Sequence, residues 1–575
     1  MEKKNSLKYI YEISQGNKGQ ICLLIVSRSV IAFISVATAL VLREIINAAI
    51  AHQNSLFFFY ISILIAMICF RIIAGTLSRF LQEKINAQLE NKCKKRFFAT
   101  LLSKEYSYIS TVHSGQWMTQ LTNDTVIVAN GITNILPDLG GMLVKLIGAT
   151  GFILLMEPRF LYVFIPGIII LLAVSYLSRT KMKQLHKYVQ EKDGNLRAFL
   201  QECFASMLII RSYGVETLAV DKASVKMNEH QQARIKRNHF SNIFSTGFAI
   251  LMNLTYLVGV GYCGYGILIG TISYGSFIAI LQLVGQLQMP LANITGILPR
   301  YYAMISSVER LIEIEILNDT NTKPRKTIKE ILSIYQNQLN KLEMKNISFS
   351  YLRPVNKKIE FTNNQQEITF QNWNFEINKG EYIAITGPSG CGKSTLLKLM
   401  MGLYEPNQGN RYLYLNNQKV VLDSTWQNLF SYVPQGNYLM SGTIREIIAF
   451  SNQEQINDDK AIWQALSIAC AKQFVEKLDK GLDTFLGERG AGLSEGQMQR
   501  LAIARAIFSN RPIMILDECS SALDEQTERQ LIENLRLMTD HTVIIITHRP
   551  AALAICDKIY HVDNHELNYK ESNIE

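Results

Sequence analysis

The most chemically informative stretch of the chain is a glycine-rich turn between an apolar run and an amphipathic run, in IAITGPSGCGKSTLLKLMMG. Gly387, Gly390 and Gly392 allow a tight backbone turn whose N–H groups point at one spot, and the following helix adds the positive end of its dipole. We expect Lys393 to reach the β- and γ-phosphates of a nucleotide and the Ser394 hydroxyl to bind Mg²⁺. The stretch therefore predicts a phosphate-binding loop.

Four polar residues at or just after the ends of later strands extend this chemistry. In PIMILDE, Asp517 ends an apolar strand where a carboxylate can hold Mg²⁺, and Glu518 can polarise a water for attack on the γ-phosphoryl group. Gln435 follows another strand, in FSYVPQ, and could coordinate Mg²⁺ or a water. His548 follows TVIIIT and could contact the γ-phosphate, although a lone histidine is more often a surface or core residue. The set predicts hydrolysis of ATP with Mg²⁺ as cofactor.

Two further candidates have equally ordinary structural explanations. Tyr351 ends the strand-like LEMKNISFSY, where its ring could stack on adenine or belong to the core. Ser494 and Gly496, in LSEGQMQRLAIARAI, stand where a helix would begin near Glu495, so that a hydroxyl, an amide and a helix dipole point at an anion. A plain helix cap would give the same pattern, and this stretch alone leaves both interpretations open.

These residues need a scaffold of at least two domains, since 575 residues are too many for one core. Residues 20–300 contain long uncharged runs, whereas 340–575 has the mixed texture of a soluble α/β domain. A membrane span needs about 20 apolar residues. Six stretches qualify: 21–42, 56–78, 132–156, 160–178, 246–269 and 275–298.

The net charge of +10 fits a membrane protein better than a nucleic-acid-binding protein. The long connections 79–131 and 179–245 carry most of the basic residues near the spans, so both should face the cytoplasm. We therefore expect a multi-pass protein of the plasma membrane with its carboxy-terminal domain in the cytoplasm and no nucleic-acid partner. The nine cysteines form no C-x-x-C pair, which argues against a zinc site or a disulfide framework.

Polar residues inside the spans are expensive in lipid and usually face protein or a cavity. The charged candidates are Arg28, Arg71 and Lys145, which could equally form helix–helix contacts or reach an interface. In the last span Gln282, Gln286 and Asn293 share one helical face. Our hypothesis is that this strip lines a translocation cavity.

Residues 345–560 resemble the nucleotide-binding domain of the ATP-binding cassette (ABC) superfamily. The matching segments are Gly387 to Thr395 (Walker A), Gln435 (Q-loop), Leu493 to Gln497 (signature), Ile513 to Glu518 (Walker B), Ser520 to Asp524 (D-loop) and His548 (switch histidine). With six preceding spans, nearly the whole chain resembles a type I ABC exporter half-transporter. The resemblance implies a six-helix all-α transmembrane domain with long cytoplasmic helical extensions over 1–315, a linker over 316–340 and an α/β P-loop nucleotide-binding domain over 341–575.

The resemblance also implies roles for individual residues. Catalysis would fall to Glu518, His548, Gln435 and Lys393, and Mg²⁺ to Ser394, Gln435 and Asp517. The nucleotide would be held by Tyr351, Gly387, Ser389, Gly390, Gly392, Lys393, Ser394, Thr395, Ser494, Gly496 and Gln497. In this family each ATP lies between the Walker A of one domain and the signature of another, so two chains must pair, either identical or different. Short helices around 115–124 and 211–216 would couple the domains.

Three departures from the family pattern stand out. The signature reads LSEGQ rather than LSGGQ, and we expect Glu495 to be tolerated because Ser494 and Gly496 are retained. Tyr351 lies farther from Gly387 than usual, with an extra polar segment near 354–372. The absence of a peptidase domain before the first span disfavours a leader-cleaving peptide exporter.

The function expected from this reasoning is ATP-driven export of an amphipathic small molecule, lipid or peptide by an alternating-access dimer. One alternative is a metal-chelate importer built on the exporter fold. The other is an ATP-gated channel or regulator, which a degenerate motor would have favoured.

Overall fold

The structure, a computed structural model, describes residues 2–112, 114–317, 324–351, 367–436, 439–487, 490, 492–538, 540–563 and 566–571. The chain forms two compact units. The first contains Met1–Phe98 and Met118–Ile314, and the second contains Ala99–Trp117 and Glu315–Glu575. Their helical and sheet-containing character confirms the predicted fold class. The domain boundaries at 315 and 340 stay predictions.

The first unit is built from long helices. From the amino terminus to residue 316 the helices are α1 (Glu2–Ser14), α2 (Lys18–Ile50), α3 (Asn54–Ser103), α4 (Tyr106–Ile109), α5 (Ser114–Thr119), α6 (Thr125–Met156), α7 (Leu161–Ala205), α8 (Met207–Ser212), α9 (Glu216–Leu268) and α10 (Tyr274–Ile316). Of these, α4 belongs to the second unit. A π-helical turn, Gln120–Asp124, joins α5 to α6.

Within the described residues, four helical segments are long and apolar enough to cross a membrane: Lys18–Ile50, Asn54–Ser103, Ser114–Met156 and Glu216–Leu268. They contain the predicted spans 21–42, 56–78 and 132–156, and all but the last residue of 246–269. The predicted spans 160–178 and 275–298 coincide with the beginnings of α7 and α10. Many side chains there, including Asn293, lie outside the described residues.

Apolar contacts hold α2, α6 and α10 together. Val36 on α2, Ile153 on α6 and Leu283 on α10 belong to one cluster and are fully buried. Polar side chains also join helices, since Arg28 donates to the Gln82 Oε1 atom at 2.6 Å and Gln82 donates to the Asn134 Oδ1 atom at 2.6 Å. Arg28 is thus a helix–helix link, one of the alternatives open from the sequence.

The second unit is an α/β domain. Its strands are β1 (Leu339–Tyr351), β2 (Glu367–Asn378), β3 (Tyr382–Thr386), β4 (Gln408–Leu415), β5 (Gln418–Val421), β6 (Phe430–Val433), β7 (Gly442–Thr443), β8 (Phe485–Leu486), β9 (Ile513–Asp517), β10 (Thr542–Ile546), β11 (Lys558–Asp563) and β12 (Glu566–Glu571). Its helices are α11 (Ile328–Asn337), α12 (Lys393–Met400), α13 (Ile444–Ile448), α14 (Asp459–Ile468), α15 (Lys472–Glu476), α16 (Glu495–Phe508), α17 (Glu525–Arg536) and α18 (Pro550–Leu553).

A six-stranded sheet in the order β12-β11-β3-β10-β9-β6 forms the centre of this unit. Every residue of β3, β9 and β10 is buried, and these strands are continuous apolar runs, as expected for parallel strands covered on both faces. A second, antiparallel sheet has the order β2-β1-β4-β5. Two hydrophobic clusters enclose the central sheet.

The segment Ala99–Trp117 packs within the second unit although it follows α3 in the chain. Lys104 is buried and its ammonium group donates to the Glu315 and Leu317 carbonyls at the end of α10. The Tyr106 ring stacks on Tyr404 with centroids 5.9 Å apart, and the Ser110 and Tyr404 hydroxyl oxygens are 3.4 Å apart. These contacts precede 115–124, where we expected the first coupling helix.

Candidate nucleotide-binding site

The central sheet brings four of the sequence motifs to one edge. Strands β3, β10, β9 and β6 are neighbours and parallel, so their carboxyl ends share that edge. Gly387 follows β3, His548 follows β10, Glu518 follows β9 and Gln435 follows β6. Ligands of open α/β sheets bind beyond the carboxyl ends of the strands. The sheet order therefore assembles residues that are up to about 160 positions apart in the sequence.

The glycine-rich loop has the backbone geometry that the sequence predicted. Gly387, Gly390 and Gly392 have φ values of +136°, +81° and +104°, in the region that favours glycine. A Cβ atom on Gly387 would lie 2.5 Å from the Val562 carbonyl oxygen. Gly392 is the residue before the first turn of α12. The loop is thus fixed by steric constraints as well as by its turn.

Lys393 lies inside this loop. Its side chain is buried, and its ammonium group donates to the Gly387 carbonyl at 2.6 Å and the Pro388 carbonyl at 2.8 Å. Ser389 is exposed on the loop, whereas Thr395 is buried in α12. The loop consequently presents a cation and backbone N–H groups at the start of a helix, which is the arrangement that binds phosphate.

Tyr351 lies beside the same helix. Its hydroxyl oxygen is 2.6 Å from the Thr395 Oγ1 atom, and 38% of the residue is exposed. Of the extra polar segment near 354–372, residues 354–366 lie outside the described residues, and 367–372 belong to β2. The structure thus places the aromatic ring next to the phosphate-binding loop.

The acidic pair at the end of β9 is held by residues from β6 and α12. Asp517 is hydrogen-bonded to Ser394, and Tyr432 donates to its Oδ2 atom at 3.1 Å. Burial raises the pKa of Asp517, and the hydrogen bonds from Ser394 and Tyr432 oppose that rise. Hydroxyl, carboxylate and amide oxygens of this kind fit Mg²⁺, a hard cation. Sequence reasoning missed Tyr432, because only the pairing of β6 with β9 brings it to Asp517.

Glu518 adopts an uncommon backbone conformation, with φ of +49°. The Gln435 amide donates to its Oε2 atom at 2.7 Å, which joins the end of β6 to the end of β9. The Glu518 N–H donates to the Ile546 carbonyl on β10 at 3.1 Å. His548 is exposed two residues after β10.

The signature residues have well-defined local roles in this chain. Ser494 caps α16: its hydroxyl accepts from the Gln497 N–H at 3.3 Å, and the Gln497 side chain accepts from the Ser494 N–H at 2.9 Å. A Cβ atom on Gly496 would lie 2.9 Å from the Ala522 carbonyl oxygen, so glycine allows close packing there. In the part of the chain that the structure describes, no hydrogen bond joins these three residues to the loop at Gly387–Thr395.

Two residues that the sequence reasoning missed hold the turn after Glu518. Gln499 on α16 donates to the Ser521 hydroxyl at 3.1 Å and accepts from the Ala522 N–H at 3.1 Å. Arg549 donates to the Ser521 carbonyl at 2.7 Å. A polar residue inside a helix and an arginine beside a histidine carry no spacing signal that would have identified them.

Comparisons with known proteins agree with this geometry. The family described as ABC transporter transmembrane region matches residues 21–291, and the ABC transporter family matches residues 370–521. The chain is 30% identical over 466 residues to the ABC transporter B family member 1 of Dictyostelium discoideum, which spans 80% of this chain and 48% of that protein.

Two other proteins are similar over more of their own length. A multidrug resistance ABC transporter ATP-binding and permease protein of Lactococcus lactis is 27% identical over 82% of this chain and 77% of that protein. The ATP-dependent lipid A-core flippase of Haemophilus influenzae is 27% identical over 88% of this chain and 83% of that protein.

A solved structure has the same fold. A bacterial Atm1-family ABC exporter with ATP bound has a TM-score of 0.80 and 20% identity, covering 96% of both chains. The family matches imply an ATP-binding domain and a membrane-embedded region. The chain therefore belongs to the ABC transporter family, with a transmembrane region and an ABC transporter domain in one polypeptide.

Proposed function

We propose that two copies of this chain form an exporter that is driven by hydrolysis of Mg-ATP. The observation that carries the proposal is the row of Gly387, His548, Glu518 and Gln435 along one sheet edge, with the Gln435 amide on the Glu518 carboxylate. A degenerate motor would have lost members of this row. The completeness of the row therefore favours a pump over a channel or regulator that uses ATP without hydrolysing it.

The chain's own residues divide the hydrolytic work. The loop N–H groups and Lys393 bind the phosphates, and Tyr351 stacks on the adenine. Glu518, oriented by Gln435, polarises the attacking water, and His548 approaches the γ-phosphate from the neighbouring strand end. When bound, Mg²⁺ held by Ser394, Asp517 and Gln435 would neutralise charge on the phosphates. Positioning and charge neutralisation are the main requirements of phosphoryl transfer.

The second copy is needed because one chain supplies only half of each composite site. Ser494, Gly496 and Gln497 would complete the nucleotide site of the partner. The turn between α7 and α9 supports the pairing: Phe204, Leu208 and Tyr213 are 70%, 83% and 78% exposed there. Exposed apolar groups in such a cluster mark a protein interaction site. We propose that this tip, near 211–216, docks on the partner chain. The alternative is that the partner is a chain of different sequence.

The membrane region selects the substrate in this proposal. The Gln286 amide donates to the Ser35 carbonyl at 2.7 Å, while the buried Oε1 atoms of Gln282 and Gln286 have no hydrogen-bond partner in the described part of the chain. Two free acceptors one helical turn apart would suit a donor group on an amphipathic substrate. The relatives named as multidrug and lipid A-core transporters support an amphipathic drug-like molecule or lipid as cargo.

The direction of transport tests the proposal. Inside-out and right-side-out membrane vesicles containing the chain would be given a fluorescent Hoechst dye or a fluorescent phospholipid with Mg-ATP. We expect ATP-driven transport of the dye or lipid, away from the side on which the nucleotide-binding domain lies, only in vesicles in which that domain faces the added ATP. The Glu518→Gln variant should abolish this transport. This orientation would also support a plasma-membrane protein with a cytoplasmic nucleotide-binding domain. ATP-driven movement in the opposite direction would identify an importer, and ATP-gated ion conductance would identify a channel.

The two glutamines give the substrate part of the proposal a separate test. Gln282→Ala combined with Gln286→Ala should change dye-stimulated hydrolysis without changing the basal rate. Gln288→Ala, on another face of α10, is the matched control. Stimulation by every transported compound that is unchanged in the double variant would refute the role of this strip.

A further inference from the structure

The turn that joins Glu518 to α17 is spanned by a single guanidinium group. Arg549 Nη2 donates to the Ser521 carbonyl at 2.7 Å, and its Nη1 donates to the Leu523 carbonyl at 3.1 Å. The same Nη1 donates to the Glu528 Oε2 atom in α17 at 2.8 Å. Because its donors are arranged in a rigid plane, arginine can bind several acceptors at once, which a lysine cannot do in the same geometry.

Because Glu528 is buried, breaking its ion pair with Arg549 should be strongly destabilising. The Glu528 side chain is only 3% exposed, and Arg549 is the cation paired with it. Removing the arginine alone would leave a buried carboxylate without its partner, which is strongly destabilising. The turn also receives Gln499 from α16, so it is held from two different elements.

The turn is linked directly to Glu518. The Ser521 N–H donates to the Glu518 carbonyl at 3.4 Å, and the Leu523 N–H donates to the Ser520 carbonyl at 3.1 Å. Glu518 itself has a left-handed backbone, with φ of +49°. Such a conformation in a residue other than glycine persists only where the surrounding structure enforces it. The Ile546 carbonyl holds Glu518 on one side, and the turn holds it on the other.

We propose that Arg549 is a positioning residue for ATP hydrolysis, which holds the 519–523 turn so that Glu518 keeps its left-handed backbone and its carboxylate stays on Gln435. This inference rests on the proposed role of Glu518 in orienting water. Arg549 contacts the turn and α17 rather than the loop at Gly387–Thr395. Its loss should therefore lower kcat and leave the affinity for ATP unchanged.

The decisive variant removes the arginine without leaving a buried charge. Arg549→Met combined with Glu528→Gln eliminates both ends of the ion pair and both carbonyl contacts. Glu528→Gln alone retains the Arg549 bonds to Ser521 and Leu523. Arg529→Met, which breaks only the exposed pair of Arg529 with Glu525 on α17, is the matched control. Arg549→Lys keeps the charge but cannot span the turn.

The wild-type chain and each variant, at full length in lipid nanodiscs, would be compared in kcat and KM with Mg-ATP. Their affinity for a methylanthraniloyl-ATP probe and the hydrogen exchange of the Ser521 and Leu523 amides would also be measured. We expect the double variant to have about tenfold lower kcat, the effect expected when the strained left-handed backbone of Glu518 is no longer enforced. Amide exchange should be faster, and the affinity for the probe should be unchanged. The kcat and amide exchange of Arg549→Lys should lie between those of the wild-type chain and the double variant. Those of Glu528→Gln and Arg529→Met should stay near the wild-type values.

Wild-type kcat and exchange in the double variant would overturn the inference, as would a loss of probe affinity that accounts for the loss of rate. Absence of Glu518-dependent hydrolysis in the wild-type chain would instead refute the proposed function. In that case hydrogen exchange alone decides whether Arg549 holds the turn: unchanged exchange overturns the inference, and faster exchange supports it.

Discussion

The loop at Gly387–Thr395 and the signature at Leu493–Gln497 both place glycine and a hydroxyl residue at the start of a helix, but they are held differently. The first follows a fully buried strand, and its Gly387 packs against the Val562 carbonyl. The second is an exposed helix cap whose side-chain hydrogen bonds are local, between Ser494 and Gln497, although its Gly496 packs closely against the Ala522 carbonyl. In the proposed dimer, the loop would bind the phosphates of its own chain's nucleotide, and the signature would face the nucleotide of the partner chain.

This difference explains why the two motifs should respond differently to mutation. In the proposed dimer, a mutation in the loop should weaken binding of the nucleotide held by the mutated chain's own loop. In the proposed dimer, a residue of the signature acts on the nucleotide of the partner. Mutations that separate these effects can therefore support or refute the comparison.

The largest effect is expected for Gly387→Ala. The added Cβ would meet the Val562 carbonyl oxygen at 2.5 Å in a backbone with φ of +136°, so the loop must distort. We expect loss of binding of methylanthraniloyl-ATP and a lower unfolding temperature. Gly390→Ala is the control, because φ is +81° but no atom lies within 4 Å of its Cβ, and its cost should be limited to about 1–2 kcal/mol of backbone strain. Equal binding by both variants would contradict the steric account.

The next effect tests whether the two motifs meet between chains. Lys393→Ala and Ser494→Ala chains, each also carrying Glu518→Gln to retain ATP, would be purified separately and as a mixed pair with two affinity tags. Neither parent should retain nucleotide after gel filtration, because each damages both composite sites. The mixed pair has one intact site and should retain one nucleotide. A mixed pair that retains none would count against pairing of Walker A with the partner's signature.

A smaller and more selective effect separates helix capping from anion binding. Ser494 and Thr443 form capping boxes of the same type, at α16 and α13. Ser494→Ala and Thr443→Ala should each cost about 1 kcal/mol of stability, measured by thermal unfolding. Only Ser494→Ala should also lower hydrolysis, by about 10²-fold if it removes a donor to the transition state. Equal rates in the two variants would mean that Ser494 is a cap and nothing more.

The smallest effect comes from the opposite edge of the central sheet. Burial lowers the pKa of His541, which precedes β10 and lies away from the proposed chemistry. A histidine whose pKa is lower in the folded state stabilises the fold above its unfolded pKa, and this contribution is lost as the pH falls through the interval between the two values. The unfolding temperature should therefore fall less steeply for His541→Gln than for the wild-type chain as the pH is lowered from 7.5 to 5.5. This range is set by the ordinary histidine pKa of about 6.5. An identical pH dependence would refute this assignment.

The backbone features of the candidate nucleotide site were largely predictable, because each is tied to a local sequence pattern. The loop requires glycines at fixed spacing, and Asp517 and Glu518 end an apolar run, so a short window of sequence is enough to identify them. A short sequence segment does not reveal the order of the strands, and only the structure shows that β10 lies between β3 and β9.

Contacts between distant segments could not be predicted. Tyr106 is separated from Tyr404 by nearly 300 residues, and neither belongs to a recognisable motif. Arg549 stands next to a predicted site residue, but its acceptors are backbone carbonyls, which every residue has. Side chains that act on backbone groups leave no mark in residue type or spacing, so only coordinates identify them.

The most direct test of the proposed hydrolytic dimer is hydrolysis of Mg-ATP by the purified chain alone in lipid nanodiscs, measured beside Glu518→Gln. We expect activity in the wild-type chain and its loss in the variant, with ATP binding retained. Equal hydrolysis by the two proteins would contradict the role of Glu518. Absence of hydrolysis by the wild-type chain would contradict a self-sufficient pair of identical chains.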